Sequence, residues 1–271
     1  MSRFYLVSIL ILSIALFLSL SVKLDFSRFA FGARGDKGCP VNMVRVGPLC
    51  VDTYEATVWS EPSRGNGNPR GIQFGVTEDD YTCSDNGNDC SASAANPIFA
   101  ASLPGVTPSA FITWFQAQQA CANVGKRLLR NGEWQMAAAG TPTDYEPDPD
   151  DGVDDCNTST AGGVVDTGSR SNCVSNFGVF DMVGNLQEWV EDWTQDSSDS
   201  DGGDTSSALY GSDAILGVDE AAPETDRFPA ALIRGGHWLA GTFAGVFELS
   251  AARAPSSGPA DTDCFRCARN P

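Results

Sequence analysis

Apolar positions in this chain rarely hold one period for long. The first run, 4–22 from Phe4 through Val22, is apolar except for four serines. That length is close to the ~20 residues of a membrane span and also suits a long secretory h-region. Either reading exports the remainder of the chain, so residues 1–34 are taken as a signal peptide or N-terminal membrane anchor with a short linker, and 35–271 as the folded part. Around "MVRVGPLCVDTYEATVW" the alternation predicts strands within 39–60. Residues 61–97 are polar and turn-rich, which predicts loops. Thr113-Trp114-Phe115-Gln116 has the T-x-x-Q form of a capping box, and Ala117, Ala120, Cys121 and Val124 continue one apolar face as far as Gly125. A second, short helix is predicted from Asn131 to before Gly140, with Glu133 in its first turn. The acidic, breaker-rich stretches 144–155 and 192–204 read as surface loops, and neither keeps the phasing of an EF-hand. Residues 231–268 alternate apolar runs with glycine and predict strands closing the domain.

Composition sharpens this picture. With 28 Gly, 15 Pro and few long helical patterns, the 271-residue chain reads as a loop-rich α+β protein. Its formal charge of −18 repels phosphate backbones and excludes nucleic acid as a partner class. Nine cysteines fit an oxidising compartment. Their spacing points to local pairs: Cys39 with Cys50, Cys83 with Cys90, and Cys156 with Cys173. Spacing alone does not fix connectivity, and an odd count leaves one thiol over.

Three blocks carry the chemistry: "CANVGKRLLRNGEWQMAAAG", "NFGVFDMVGNLQEWVEDW" and "LIRGGHW", the last with "SAAR" and "CFRCA" downstream of it. In order and spacing they resemble the formylglycine-generating enzyme family, the sulfatase-modifying factors, over most of 39–268. The resemblance implies a C-type-lectin-like α+β fold with little regular secondary structure. It implies calcium, held at the positions of Asp181, Gly184, Leu186 and Glu188; hard oxygen donors on a tight Gly-Asn turn are compatible with that. A second calcium site would use Asn157 with the Thr158 carbonyl. The resemblance also implies a disulfide between Cys121 and Cys267. A further family bridge falls on Ala138 and Ser250, where both cysteines are missing together. Cys264 is left as the odd thiol, in a C-x-x-C spacing with Cys267.

Catalysis in the family rests on two copper-binding cysteines five residues apart, downstream of R-G-G-S. Here those positions fall on Ala240 and Gly245, neither of which has a ligand atom, and copper(I) requires soft thiolates. His237, the only histidine of the chain, stands where the family has Ser. One imidazole holds neither a redox copper nor the three-His iron of other relatives. The expectation is therefore an exported, calcium-stabilised, acidic pseudoenzyme without copper, acting as a binding or scaffold module for a peptide, protein or glycan in the cell envelope. The alternative is an active oxidase with displaced thiols, converting a substrate cysteine to formylglycine. Trp238, Phe243 and Phe247 read first as core, with a surviving ligand groove including His237 as the second reading.

Overall fold

A computed structural model describes residues 38–64, 67–142, 156–159, 161–194, 215–216, 230–251 and 260–271. The apolar run 4–22, the division at residue 34, the acidic stretch 144–155 and most of 192–204 lie outside the described residues.

Short apolar runs interrupted by Gly and Pro make short strands, and these assemble into three sheets. The first sheet has the order β1-β2-β12-β6, from β1 (Met43–Val46), β2 (Leu49–Asp52), β6 (Arg127–Leu128) and β12 (Cys267–Arg269). It pairs the beginning of the domain with its end, since Ala268 lies opposite Val51 in antiparallel register. The second sheet, β11-β7-β9-β10-β8, is built from β7 (Gln187–Thr194), β8 (Ile215–Leu216), β9 (Ala230–Arg234), β10 (Leu249–Ser250) and β11 (Asp263–Phe265). In the third, β3 (Ala56–Arg64) lies between β4 (Asn68–Phe74) and β5 (Phe99–Ser102). The fold is α+β.

Helix α1 (Trp114–Ala122) starts where its capping box predicts. The Gln116 N–H donates to the Thr113 hydroxyl at 3.2 Å, and the Gln116 side chain accepts from the Thr113 N–H at 3.0 Å. Gly125 then takes the left-handed conformation, φ 70°, just beyond its end. Helix α2 (Asn131–Ala137) carries Glu133, whose carboxylate accepts the Arg130 N–H at 2.9 Å and both terminal nitrogens of Arg127.

Two expectations need correction. Part of 61–97, read as loop, is strand: β3 runs to Arg64 and returns through β4. This hairpin stands in solvent, with Ile72 exposed, so no buried face imposed an apolar alternation on it. Likewise Asp192, Trp193 and Thr194, expected in an acidic loop, finish β7; the Asp192 carboxylate accepts the Asn131 N–H at 2.6 Å.

The largest fully buried side chains include Trp134, Trp189, Phe265, Ile112 and Arg266. Four disulfides staple the fold: Cys39–Cys50, Cys83–Cys90, Cys156–Cys173 and Cys121–Cys267. The last ties α1 to β12 across 146 residues and removes the most freedom from the unfolded chain. Cys264 remains a thiol and is wholly buried in β11. Ala138 and Ser250, the positions of the missing bridge, are also buried.

Candidate functional site

The Phe180–Trp189 block folds around two left-handed residues, Asp181 (φ 57°) and Asn185 (φ 56°), with Gly184 between them at φ 72°. A Cβ on Gly184 would stand 2.4 Å from the Asn157 carbonyl oxygen, so only glycine lets these segments approach. Asn185 is the hub. Its side-chain NH₂ donates to Glu55 at 2.6 Å and to the Val165 carbonyl at 3.2 Å, and its Oδ1 accepts from Val165 N–H and Asn157 Nδ2. The second Glu55 oxygen accepts the Leu186 N–H at 3.0 Å. The family motifs give no role to Glu55 or Asn185. The available signal was a pair of carboxylates, Asp52 and Glu55, inside the otherwise strand-like "CVDTYEATVW".

Glu188, on β7, meets Arg266, which lies between β11 and β12. The Arg266 Nε reaches both carboxylate oxygens at 2.8 and 2.9 Å, and Nη2 reaches Oε1 at 2.5 Å. The Trp134 indole N–H donates to Glu188 Oε2 at 2.8 Å. The remaining Arg266 donors bind the carbonyls of Asp52, Thr53 and Phe180. Both side chains are 1% exposed. This is a buried, fully bonded ion pair, the arrangement that burial of charge demands.

The family's first calcium set does not fit this geometry. Asp181 uses one carboxylate oxygen to accept the Gly168 N–H at 2.7 Å, while Glu188 is bonded on both oxygens by a guanidinium and an indole. A divalent cation at Glu188 would stand against a buried positive charge. Among the described residues, no three His, Cys, Asp or Glu side chains converge as metal ligands. The second set contains an atom that does fit. Asn157 Oδ1 is buried and has no hydrogen-bond partner among the described residues, while its amide nitrogen is committed to the Gly163 carbonyl and to Asn185. A buried orphan carbonyl oxygen is a hard donor awaiting a cation or a water.

Burial pushes Asp181 up to about 7. Burial, then the nearby Asp181 and Glu188, push Glu55 well above the usual carboxylate range.

The same block anchors the loop 235–248. Gly184 N–H donates to the Gly235 carbonyl at 3.2 Å, and Trp238 N–H to the Asn185 carbonyl at 2.9 Å. Gly235 and Gly236 have φ 91° and 75°. A Cβ at the first would lie 2.8 Å from the Met182 carbonyl oxygen, and at the second 2.7 Å from Ala244. Arg234 fastens the base of the loop. Its Nε donates to the Glu248 carbonyl, Nη2 to Val246 O and Gln135, and Nη1 to Asn131, while the guanidinium lies 4.4 Å from the Trp134 ring centroid. The Glu248 carboxylate accepts the Gly236 N–H at 3.0 Å.

On this loop Ala240 packs against the Cys156–Cys173 bridge with Val183 and Ala244, and Gly245 is buried. Phe243 and Phe247 are not core, which corrects the first reading: they are 61% and 40% exposed, beside Leu239 at 66%. Trp238 is half-buried against the main core. His237 accepts the Leu239 N–H through Nδ1 at 3.3 Å. The redox spacing of Cys264 and Cys267 is empty of redox geometry, because Cys267 is bonded to Cys121 and Cys264 is buried. Burial pushes the Cys264 thiol well above its ordinary value.

Comparisons with known proteins agree with the block pattern. Residues 28–271 match the sulfatase-modifying factor enzyme 1-like domain. Two curated relatives are serine/threonine-protein kinases named pkn1. The protein from Chlamydia pneumoniae is 28% identical over 171 residues, 60% of this chain and 24% of that protein. The one from Chlamydia caviae is 32% identical over 86 residues, 32% of this chain and 14% of that protein. The chain thus spans less than a quarter of the length of these relatives. Similar solved structures include the Major Tropism Determinant I1 variant (17% identity, 84% of this chain, 52% of that one, TM-score 0.49) and PvdO from Pseudomonas aeruginosa (20%, 86%, 84%, TM-score 0.41). With the sheets, the helices and the motif blocks in place, the chain, an α+β protein, belongs to the sulfatase-modifying factor family.

Proposed function

We propose that this member is an exported binding module without copper-oxidase chemistry, and that its ligand docks on the loop 235–248. One observation carries the reading. The loop that holds the family's two thiols has Ala240 and Gly245 in their place and presents Leu239, Phe243 and Phe247 to solvent. All nine cysteines are accounted for, eight in bridges and Cys264 buried, so no accessible thiolate is left to grip copper(I). Exposed large apolar side chains on a rigidly anchored loop are what a protein or peptide ligand uses. Four disulfides are consistent with an extracellular setting.

Copper(I) titration with a cysteine-containing peptide as substrate tests the chemistry. No stoichiometric copper and no aldehyde product are expected; tight copper binding with peptide oxidation restores the oxidase reading. For the ligand, recovery of a defined envelope protein by the native chain and its loss with Phe243→Asp are expected. Equal recovery by both removes the loop from the interface.

Calcium enters this proposal at Asn157, with Oδ1 and the Thr158 carbonyl as donors, in a purely structural role. Thr158 O already accepts the Gly241 N–H at 2.9 Å, so an ion there would brace the same loop. Calcium is expected to raise the melting temperature of the native chain and leave Asn157→Ala unchanged. A shift abolished by Glu188→Gln but kept in Asn157→Ala places the ion elsewhere.

A further inference from the structure

A cleft of about 290 Å³ lies between the segment 40–42, the β3–β4 hairpin, β5 and the end of α1. That is close to the lower end of the ~300–1,000 Å³ typical of small-molecule sites. None of its lining residues belongs to the 235–248 loop or to the Glu188 ion pair, so it is a separate feature. Its walls are partly apolar, from Val41, Pro62, Ala101 and Val124.

Two of its polar side chains are already committed to the fold. Asn123 donates to the carbonyls of Cys90 and Ile98, both at 2.7 Å, and the Ser102 hydroxyl is engaged with the backbone of Tyr54. Two cations also line the cleft, and no carboxylate does. Lys126 is balanced by the buried Asp52 at 2.5 Å. Arg269 is exposed at the end of β12. Its Nε reaches the Asn270 carbonyl at 3.3 Å, and its guanidinium has no carboxylate partner among the described residues. The cleft therefore carries one uncompensated positive charge, on a chain whose formal charge is −18.

We propose that this cleft binds a small monocarboxylate with an apolar body. The Arg269 fork takes the carboxylate in two parallel hydrogen bonds, as its planar geometry favours. The Lys126 ammonium, one of its hydrogens given to Asp52, adds a further donor. The hydrocarbon part lies against Val41, Pro62, Ala101 and Val124. A single net charge favours a monoanion over a phosphate dianion, and the apolar walls favour a body over a bare inorganic ion. A free short-chain acid and the C-terminal carboxylate of a peptide share this chemistry.

Saturation-transfer NMR and calorimetry on the full chain test it, with hexanoate, hexanamide and acetyl-Ala-Leu as probes. Hexanoate or acetyl-Ala-Leu is expected to bind saturably, and the tighter of the two identifies the source of the carboxylate. Removing the charge on either side, with hexanamide or with Arg269→Gln, is expected to weaken binding about tenfold, the effect of losing a charge-assisted pair. Arg269 is exposed, so its variant keeps the fold. The proposal fails if neither acid binds saturably, if Arg269→Gln binds them as the native chain does, or if hexanamide binds as well as hexanoate.

Discussion

The Glu188–Arg266 pair and the 235–248 loop are joined through Gly184 and Asn185, yet they follow opposite physical rules. In the first, charged atoms are out of water and bonded on every side: four contacts to the Glu188 oxygens, three carbonyls for the rest of Arg266. In the second, the large side chains that face solvent, Leu239, Phe243 and Phe247, are apolar, and the positions proposed to match the family's metal ligands hold methyl or hydrogen. Burial explains the contrast. A buried charge without its partner costs several kcal/mol, so the pair constrains every residue around it. An exposed loop tolerates substitution because its side chains contribute little to stability. The backbone of the loop is the exception, held by Gly235, Gly236 and Arg234, so that a changeable surface rides on a fixed path.

The largest effect is expected where the pair is broken on one side. Arg266→Met leaves Glu188 buried and uncompensated and should destabilise by ~3–5 kcal/mol in denaturant unfolding. The double variant Arg266→Met/Glu188→Leu should recover a large part of this. A single-variant loss below ~1 kcal/mol would mean that water reaches Glu188.

Gly235→Ala comes next, at ~1–3 kcal/mol, from the 2.8 Å approach to the Met182 carbonyl and the left-handed backbone. Faster proteolysis within 235–248 should accompany it, and an unchanged cleavage rate would count against the fixed path.

Asp181 gives a smaller, pH-dependent effect. Its folded value of about 7 lies above the ordinary 3.8, so the folded state holds a proton that the unfolded state has lost. Stability from this group is whole below pH ~4 and is lost as pH rises toward 7. Asp181→Asn keeps an acceptor for the Gly168 N–H and tolerates the left-handed backbone. It should match the native chain at pH 4 and exceed it by ~1 kcal/mol or more at pH 8. Parallel stability curves across that range would show that Asp181 is ionised throughout.

The smallest effect on stability should come from the exposed loop. Phe243→Ser is expected to change unfolding by less than ~0.5 kcal/mol while abolishing ligand recovery. A large loss of stability instead would mean that Phe243 packs in solution, and the contrast between the two regions would dissolve.

Much of this was legible in the sequence where local rules act alone. The Thr113–Gln116 capping box set the start of α1, because four consecutive residues contain all its donors and acceptors. The Cys121–Cys267 bridge implied by the motif blocks was readable too, and it forms. Other features depend on distant partners. Glu188 in its motif gives no sign that Arg266, 78 residues away, bonds both of its oxygens. Asn185 reads as a turn residue until Glu55, 130 residues earlier, is brought to its amide. Phe243 and Phe247 read as core because hydrophobicity marks a side chain as costly to expose without saying which way its loop turns.

By itself, the sequence determined the family and the helix starts, properties of side-chain identity at fixed spacing. Tertiary structure alone decided that a guanidinium bonds Glu188, and, among the described residues, that Asn157 keeps an unpaired oxygen and that an arginine without a carboxylate partner borders a cleft. Each of these depends on which charges and dipoles are buried together, and burial is a property of the packed chain.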